Sequence, residues 1–109
     1  MNETEFNSLV DKMLLRIERA LESSALNLEF ETANGILEIE FDNGTKIIIN
    51  RQTPNREIWV AARSGGFHFK HLPGTDGEQW FDTRGGKALF ARLEDAVSQQ
   101  AGARADLHF

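Results

Sequence analysis

The sequence contains no cysteine among its 109 residues. This absence excludes disulfide bonds, thiolate metal ligands, and a cysteine nucleophile or sulfur carrier on this chain. No apolar run approaches the ~20 residues that a membrane-spanning helix needs. We therefore expect no membrane span, and any metal site must be built from oxygen or imidazole ligands.

Basic residues are also in the minority. Twelve lysines and arginines stand against 17 aspartates and glutamates, which gives a formal net charge of −5. A protein that binds the phosphate backbone of nucleic acids needs a basic face, so this class of function is disfavoured. The net negative charge favours cationic partners instead, either a basic protein surface or metal ions.

Targeting and catalytic motifs are missing as well. The start of the chain, Met1–Glu5, is acidic and has neither the basic nor the apolar region of a signal peptide. No nucleophile elbow surrounds a serine, and the pairs Gly65-Gly66 and Gly85-Gly86 do not form a phosphate loop. We expect a cytoplasmic protein that is not itself an enzyme.

The pattern of apolar residues predicts one domain spanning 1–109, with a helix near each end. Apolar residues at three- and four-residue steps predict helices over 5–22 and about 86–100, and Asn2 with Glu5 resembles a helix cap. Alternating apolar and polar residues predict the strands between them: 26–32, 37–42, Thr45–Asn50, 57–62, Phe67–Lys70 and Gln79–Asp82, with a loop over His71–Glu78 before the last strand.

The order helix, strands, helix predicts an α+β fold, and the short turns between consecutive strands predict an antiparallel sheet. We expect both helices to pack on one face of this sheet.

The turn at Asn43-Gly44 sets the register of its hairpin. A two-residue loop would turn the ammonium group of Lys46 into the core. A three-residue loop over 42–44, with Gly44 left-handed, places Glu40 opposite Lys46 and leaves Ile48 outside. We predict the three-residue loop because it opposes unlike charges and buries no ammonium group.

Acidic residues are segregated on the first helix and the strand that follows it. The residues Lys12, Arg16 and Arg19 lie on the other side of the helix's outer face. If the strand lies beside the helix, the acids form one ridge: Asp11, Glu18, Glu22, Glu29 and Glu31. Clustered carboxylates suit hard cations such as Fe²⁺ and Fe³⁺, and an open ridge binds them weakly. The alternative interpretation is a solvated acidic face.

A second candidate surface lies on the sheet face away from the helices. The strand pattern turns Asn50, Gln52 and Trp59 outward, with Arg51 beside them in sequence. An exposed tryptophan among amides and an arginine is typical of a protein-binding hot spot. The alternative is a tryptophan that shields the sheet by lying flat on its neighbours.

Several motifs in order resemble the frataxin family, and together they cover nearly the whole chain. They are an acidic first helix, the run Gly35–Phe41, Asn43-Gly44, Lys46–Gln52 followed by Pro54, Ile58-Trp59, Gly66–Phe69 and Glu78–Trp80. The length and the run Ser98–Gly102 resemble the family's bacterial branch. The segment 22–27 carries one acid where family members often have a denser acidic run. The family fold has two helices on one face of an antiparallel sheet, as the periodicity also predicts.

The resemblance implies an iron-binding protein that regulates iron–sulfur cluster assembly by binding the cysteine desulfurase. It implies weakly bound iron on the five ridge acids, desulfurase docking through Glu18 and Glu22, and contact with the desulfurase–scaffold complex through Asn50, Arg51, Gln52 and Trp59. We expect a monomer and leave open an oligomer formed with iron. Two alternatives remain: an iron chaperone or donor that delivers iron to the scaffold, and a generic interaction domain that uses Trp59.

Overall fold

The computed structural model describes residues 1–72 and 80–109. Of the loop predicted over His71–Glu78, the part from Pro73 onward lies outside the described residues, as does Gln79 at the predicted start of the last strand. His71 was wrongly placed in this loop, because it pairs with Trp80 as the last residue of a strand. The helices and strands are, in chain order, α1 (Glu3–Glu22), β1 (Glu29–Ala33), β2 (Ile36–Glu40), β3 (Lys46–Gln52), β4 (Glu57–Ala62), β5 (Gly65–His71), β6 (Trp80–Asp82) and α2 (Leu89–Ala101). A short 3₁₀ turn, Thr53–Asn55, separates β3 from β4.

The strands form one antiparallel sheet in which each strand pairs with the next, from β1 to β6. Alternate residues of the strands bury their side chains against the apolar stripes of α1 and α2. The fully buried members of this core include Phe6, Ile17, Leu21, Leu37, Ile39, Ile47, Ile49, Ile58, Phe69, Leu89 and Leu93. The predicted α+β fold, with two helices against one antiparallel sheet, is confirmed.

The first helix begins where the predicted cap lies. The Asn2 side-chain oxygen accepts a hydrogen bond from the Glu5 backbone N–H at 2.8 Å, which satisfies one of the free donors of the first turn. The helix ends at Glu22, and Ser23 is its C-cap. Neither helix of the described residues is long and apolar enough to cross a bilayer.

The β2–β3 hairpin has the predicted three-residue loop. Gly44 has φ +84°, and Glu40 lies opposite Lys46. The Phe41 N–H donates to the Thr45 carbonyl at 3.0 Å and closes the loop. Ile47 is buried and Ile48 is exposed, so the parity argument is confirmed.

The two largest errors in the predicted boundaries lie at the starts of β1 and α2, and backbone conformation explains both. β1 begins at Glu29 and not at Leu26, because Asn27 has a positive φ of 53° and interrupts the extended chain. α2 begins at Leu89 and not near residue 86, because Gly85 and Gly86 have φ values of +85° and +71°. Positive φ is incompatible with a right-handed helix, so these glycines form the turn before it.

The segment after α2 packs back onto the helices. Leu107 is only 7% exposed, and the Phe109 ring stacks on the Phe90 ring with centroids 4.3 Å apart. The guanidinium group of Arg16 lies 4.7 Å from the centroid of the Phe90 ring. These contacts join the C-terminal segment to both helices.

Candidate functional site: acidic groups and the outer sheet face

β1 lies beside α1, as the predicted acidic ridge requires. The Thr32 hydroxyl donates a hydrogen bond to the Glu18 carboxylate at 2.7 Å, which joins the strand to the helix. We call the acids of α1 the helix acids; they are Asp11, Glu18 and Glu22. Asp11 and Glu22 are exposed and Glu18 is half-buried, so their carboxylates remain within reach of solvent or a partner.

The acids of β1 lie on the other side of the strand. Side chains alternate along a strand, so Thr32 reaches Glu18 on the helix side while Glu31 projects from the opposite face. Glu31 pairs in register with Glu38, and Glu29 pairs with Glu40. The predicted single ridge is therefore two neighbouring groups, with Asp11, Glu18 and Glu22 on the helix side and Glu29 and Glu31 on the outer face.

The outer group is larger than the sequence interpretation proposed. We call Glu29, Glu31, Glu38 and Glu40 the strand acids; together with Phe30 they line a shallow cavity of about 130 Å³. The sequence interpretation did not assign Glu38 and Glu40 to the site. The signal was available, because alternation around the Asn34-Gly35 turn places all four acids on one face of the hairpin.

Lys46 projects from β3 among the strand acids. Its ammonium nitrogen lies 2.6 Å from Glu38 Oε1 and 3.7 Å from Glu40 Oε1. The hydrogen bond to Glu38 raises the pKa of Lys46 above its ordinary value of 10.5, and the charges of Glu38 and Glu40 raise it further. Lys46 thus offsets part of the negative charge at the β2 end of the group.

Arg51 lies on the helix side of the sheet, away from the outer face that carries Trp59. Its guanidinium donates to Asp11 at 2.7 Å and to Asn7 at 2.8 Å, both on α1. The expected grouping of Arg51 with Asn50, Gln52 and Trp59 on one surface is therefore wrong. Arg51 instead neutralises Asp11 and ties β3 to α1. Its role in binding a partner stays a prediction.

Within the described ranges, the other predicted acids have no cationic side chain within ion-pair distance. Among residues 1–72 and 80–109, none of the ion pairs within 4 Å involves Glu18, Glu22, Glu29 or Glu31. These carboxylates therefore present uncompensated negative charge on both sides of β1.

The acids do not assemble a caged metal centre. In the described part of the chain, no group of three or more carboxylate or imidazole side chains converges to hold one ion. A tight site for a hard cation needs six to eight oxygen ligands, or an octahedral set. These residues fit weak surface association, in which one or two carboxylates and water surround the ion.

Trp59 lies on the outer face, half-buried, between β3 and β5. Its indole N–H donates to Glu57 at 3.0 Å, and its ring stacks on His68 with centroids 4.5 Å apart and planes 10° apart. Asn50 lies opposite Trp59 in the neighbouring strand, and its buried side-chain oxygen accepts no hydrogen bond from the described residues. Trp59 therefore packs against the His68 ring, and part of its side chain stays accessible on the outer face. Binding through Asn50, Gln52 and Trp59 stays a prediction.

Comparison with known families supplies an independent finding. Residues 1–103 match the model of the frataxin-like domain. A curated relative, the iron-sulfur cluster assembly protein CyaY of Cupriavidus taiwanensis, is 47% identical over 112 residues, which cover 99% of this chain and 97% of the relative. The protein of the same name from Vibrio cholerae is 44% identical over 101 residues, which cover 93% of each chain.

A solved structure shares the architecture described above. Frataxin from Psychromonas ingrahamii, studied as a model of stability modulation within the CyaY protein family, superposes with a TM-score of 0.85. It is 33% identical in sequence, and the match covers 97% of each chain.

Proposed function

Because this chain belongs to the frataxin-like family, we propose that it is an iron-binding regulatory protein of iron–sulfur cluster assembly. In this proposal it binds a cysteine desulfurase and the cluster scaffold protein, and it acts by binding, not by catalysis. It works as a cytoplasmic monomer. The name of its relatives, iron-sulfur cluster assembly protein, supports a role in this process but does not specify these partners.

The observation that carries the proposal is the uncompensated charge around β1. Glu22 is exposed one helical turn after Glu18, which accepts a hydrogen bond from Thr32 of β1, and the exposed carboxylates of Glu29 and Glu31 lie on the outer face of that strand. A basic patch on a partner is attracted to such a region at long range, and close contact is not needed for this steering. Docking therefore requires the net potential of the region and not a defined ion cage.

The docking part is tested by reversing one charge. Glu22→Lys changes the net charge from −5 to about −3 and places a cation in the acidic region. We expect its affinity for purified desulfurase to fall about tenfold, equivalent to ~1.4 kcal/mol, at low salt. The loss should shrink at high salt because ionic screening weakens exposed charges.

A matched control separates local from overall charge. Asp106→Lys makes the same change in net charge at an exposed position of the C-terminal segment, outside both acidic groups. We expect this variant to bind like the wild type. An equal loss in both variants, or binding that does not depend on salt, would contradict docking through the acidic region.

The iron part is tested by amide NMR during addition of Fe²⁺. We expect weak association, with paramagnetic signal loss confined to residues 11–31 and to the neighbouring strand acids Glu38 and Glu40. The carboxylates are too dispersed to hold an ion tightly. Tight binding without a partner would favour the alternative function of an iron donor, and signal loss elsewhere would contradict the site.

A further inference from the structure

Three residues on the outer face form a connected unit, which we call the Trp59 cluster: Trp59, His68 and Glu57. Trp59 and His68 lie directly opposite each other on β4 and β5. Their rings are nearly parallel, 10° apart, with centroids at 4.5 Å. The Glu57 carboxylate accepts the indole N–H at 3.0 Å and lies 3.6 Å from His68 Nδ1. One carboxylate thus contacts both rings.

Among the ion pairs of the described residues, the carboxylate that lies beside His68 is that of Glu57. The Glu57 side chain is only 12% exposed, whereas that of His68 is 47% exposed. Lys70 lies on the same strand as His68, with its ammonium nitrogen 3.9 Å from the other Glu57 oxygen. On the β3 side, the cluster meets the uncharged residues Asn50 and Gln52.

Charged groups also border His68 from the β6 side. Together with His68 they line a cavity of about 220 Å³, and they are Asp82, Arg84 and Arg92. The buried carboxylate of Asp82 is paired with Arg92 at 3.1 Å. Asp82 is therefore already neutralised, and Glu57 supplies the negative charge that an imidazolium at His68 would meet.

Protonation of His68 changes each contact of the cluster. Histidine side chains gain or lose a proton near neutral pH, and the imidazolium form has two N–H donors and a positive charge. A cation against an indole face gains attraction from the ring electrons, and a cation beside a carboxylate forms an ion pair. The neutral imidazole keeps the stacking contact and a single N–H donor, but it has no positive charge to attract the carboxylate or the indole face. Proton uptake therefore strengthens the link from Glu57 through His68 to Trp59.

We propose that His68 is a proton-dependent positioning residue for Trp59, which fixes the indole on the outer face when its imidazole is protonated and frees it when its imidazole is neutral. A side chain already ordered in its bound position loses less conformational entropy on binding. The outer face should then bind a protein partner more tightly when His68 is protonated. This consequence for docking rests on the proposed function; the coupling between the two rings does not.

The coupling is tested by following the Trp59 indole N–H in NMR spectra between about pH 5 and about pH 8.5, the range in which histidine titrates. Loss of the signal in Trp59→Phe assigns it. We expect the indole signal to move with the same midpoint as the His68 ring signals. The transition should disappear in His68→Phe, which keeps a flat ring but has no nitrogen that can take up a proton. It should also disappear in His68→Gln.

Two further variants define the cluster. His108→Gln, at an exposed position of the C-terminal segment, should leave the transition unchanged. Glu57→Gln keeps an oxygen acceptor for the indole and removes the charge, so the change in the indole signal across the transition should become smaller. A Trp59 signal that stays constant while His68 titrates, or a transition that persists in His68→Phe, overturns the proposal. If the change in the indole signal is as large in Glu57→Gln as in the wild type, Glu57 is not part of the coupling.

Docking is measured against a purified complex of desulfurase and scaffold at about pH 6 and about pH 8, on either side of the histidine transition. We expect the wild type to bind about threefold more tightly at the lower pH, and we expect this difference to be absent in His68→Phe. If NMR shows the coupling but the complex binds at neither pH, the proposed function fails and the ring coupling stands. If the wild type and His68→Phe show the same pH dependence of binding, the regulatory role of His68 is wrong.

Discussion

A single backbone angle at Gly44 holds the β2–β3 hairpin in register. Its φ of +84° is unfavourable for a residue with a side chain, although an added methyl group would meet no atom within 4 Å. We expect Gly44→Ala to reduce the free energy of unfolding by about 1–2 kcal/mol in urea denaturation, from backbone strain alone. Gly66→Ala is the control, because Gly66 has equal space and no positive φ. A similar loss at both glycines would rule out this explanation.

Lys46 should contribute a pH-dependent part of the stability. Its pKa is raised in the folded state above 10.5 by Glu38 and then Glu40, so the contribution is complete below the unfolded value of 10.5 and is lost as pH rises through the higher folded value. We expect Lys46→Met to destabilise the protein at neutral pH and the difference from wild type to shrink above pH 10.5. The measurement is urea denaturation at a series of pH values.

The control for Lys46 is Lys12→Met. Lys12 is an exposed lysine of α1 that joins none of the ion pairs within the described residues. We expect a small effect that does not change with pH. If the difference between Lys46→Met and wild type stays constant into the alkaline range, the ion pairs with Glu38 and Glu40 do not stabilise the fold.

Residue-level prediction from the sequence succeeded where side-chain alternation decides the answer. Lys46 and Glu40 could be placed opposite each other because burial of Ile47 and Ile49 allows only one parity. The same parity places Arg51 on the helix side, but its position next to Asn50 and Gln52 in sequence suggested a shared surface. The pairing of Arg51 with Asp11 depends on how α1 crosses the sheet, and no local pattern encodes this crossing.

At the level of whole elements, Gln100 joins α2 to two turns of the sheet. Its side chain is buried, accepts a hydrogen bond from the Arg63 N–H at 2.9 Å, and donates to Thr45 Oγ1 at 3.1 Å and the Lys46 carbonyl at 3.2 Å. Gln100→Leu leaves buried polar groups without these partners. We expect it to lower the free energy of unfolding by about 2 kcal/mol in urea denaturation.

The neighbouring residue provides a matched control for Gln100. Gln99 lies on the exposed side of α2, so Gln99→Leu should change stability by less than about 0.5 kcal/mol. Equal effects at the two positions would show that the hydrogen bonds of Gln100 do not hold the helix on the sheet.

The sequence pattern predicted the type of both helices and of the described strands. It did not always predict the residue at which an element begins. Only a helix can bury all four residues of one apolar stripe on the same side, and these residues are Phe6, Val10, Ile17 and Leu21. The start of β1 depends on the left-handed backbone of Asn27. Asparagine tolerates this conformation without requiring it, so the sequence pattern cannot decide between strand and turn.

For the molecule as a whole, the strand acids occupy a position with two physical consequences. β1 is an edge strand of the sheet, and charged side chains on an edge strand discourage pairing with other chains. The same charges attract a basic partner. The sequence predicted the acids but not their division into a helix-side and an outer group, because this division depends on which face of β1 meets α1.

These two consequences can be separated by neutralising one strand acid. Glu31 lies directly opposite Glu38, and like charges at such positions destabilise a sheet. We expect Glu31→Gln to increase the free energy of unfolding by about 0.5 kcal/mol in urea denaturation and to weaken desulfurase binding at low salt. Asp106→Asn, with the same charge change in the C-terminal segment, should alter neither quantity. If Glu31→Gln stabilises the protein and binding is unchanged, the outer acids protect the edge of the sheet and the docking charge resides on α1 alone.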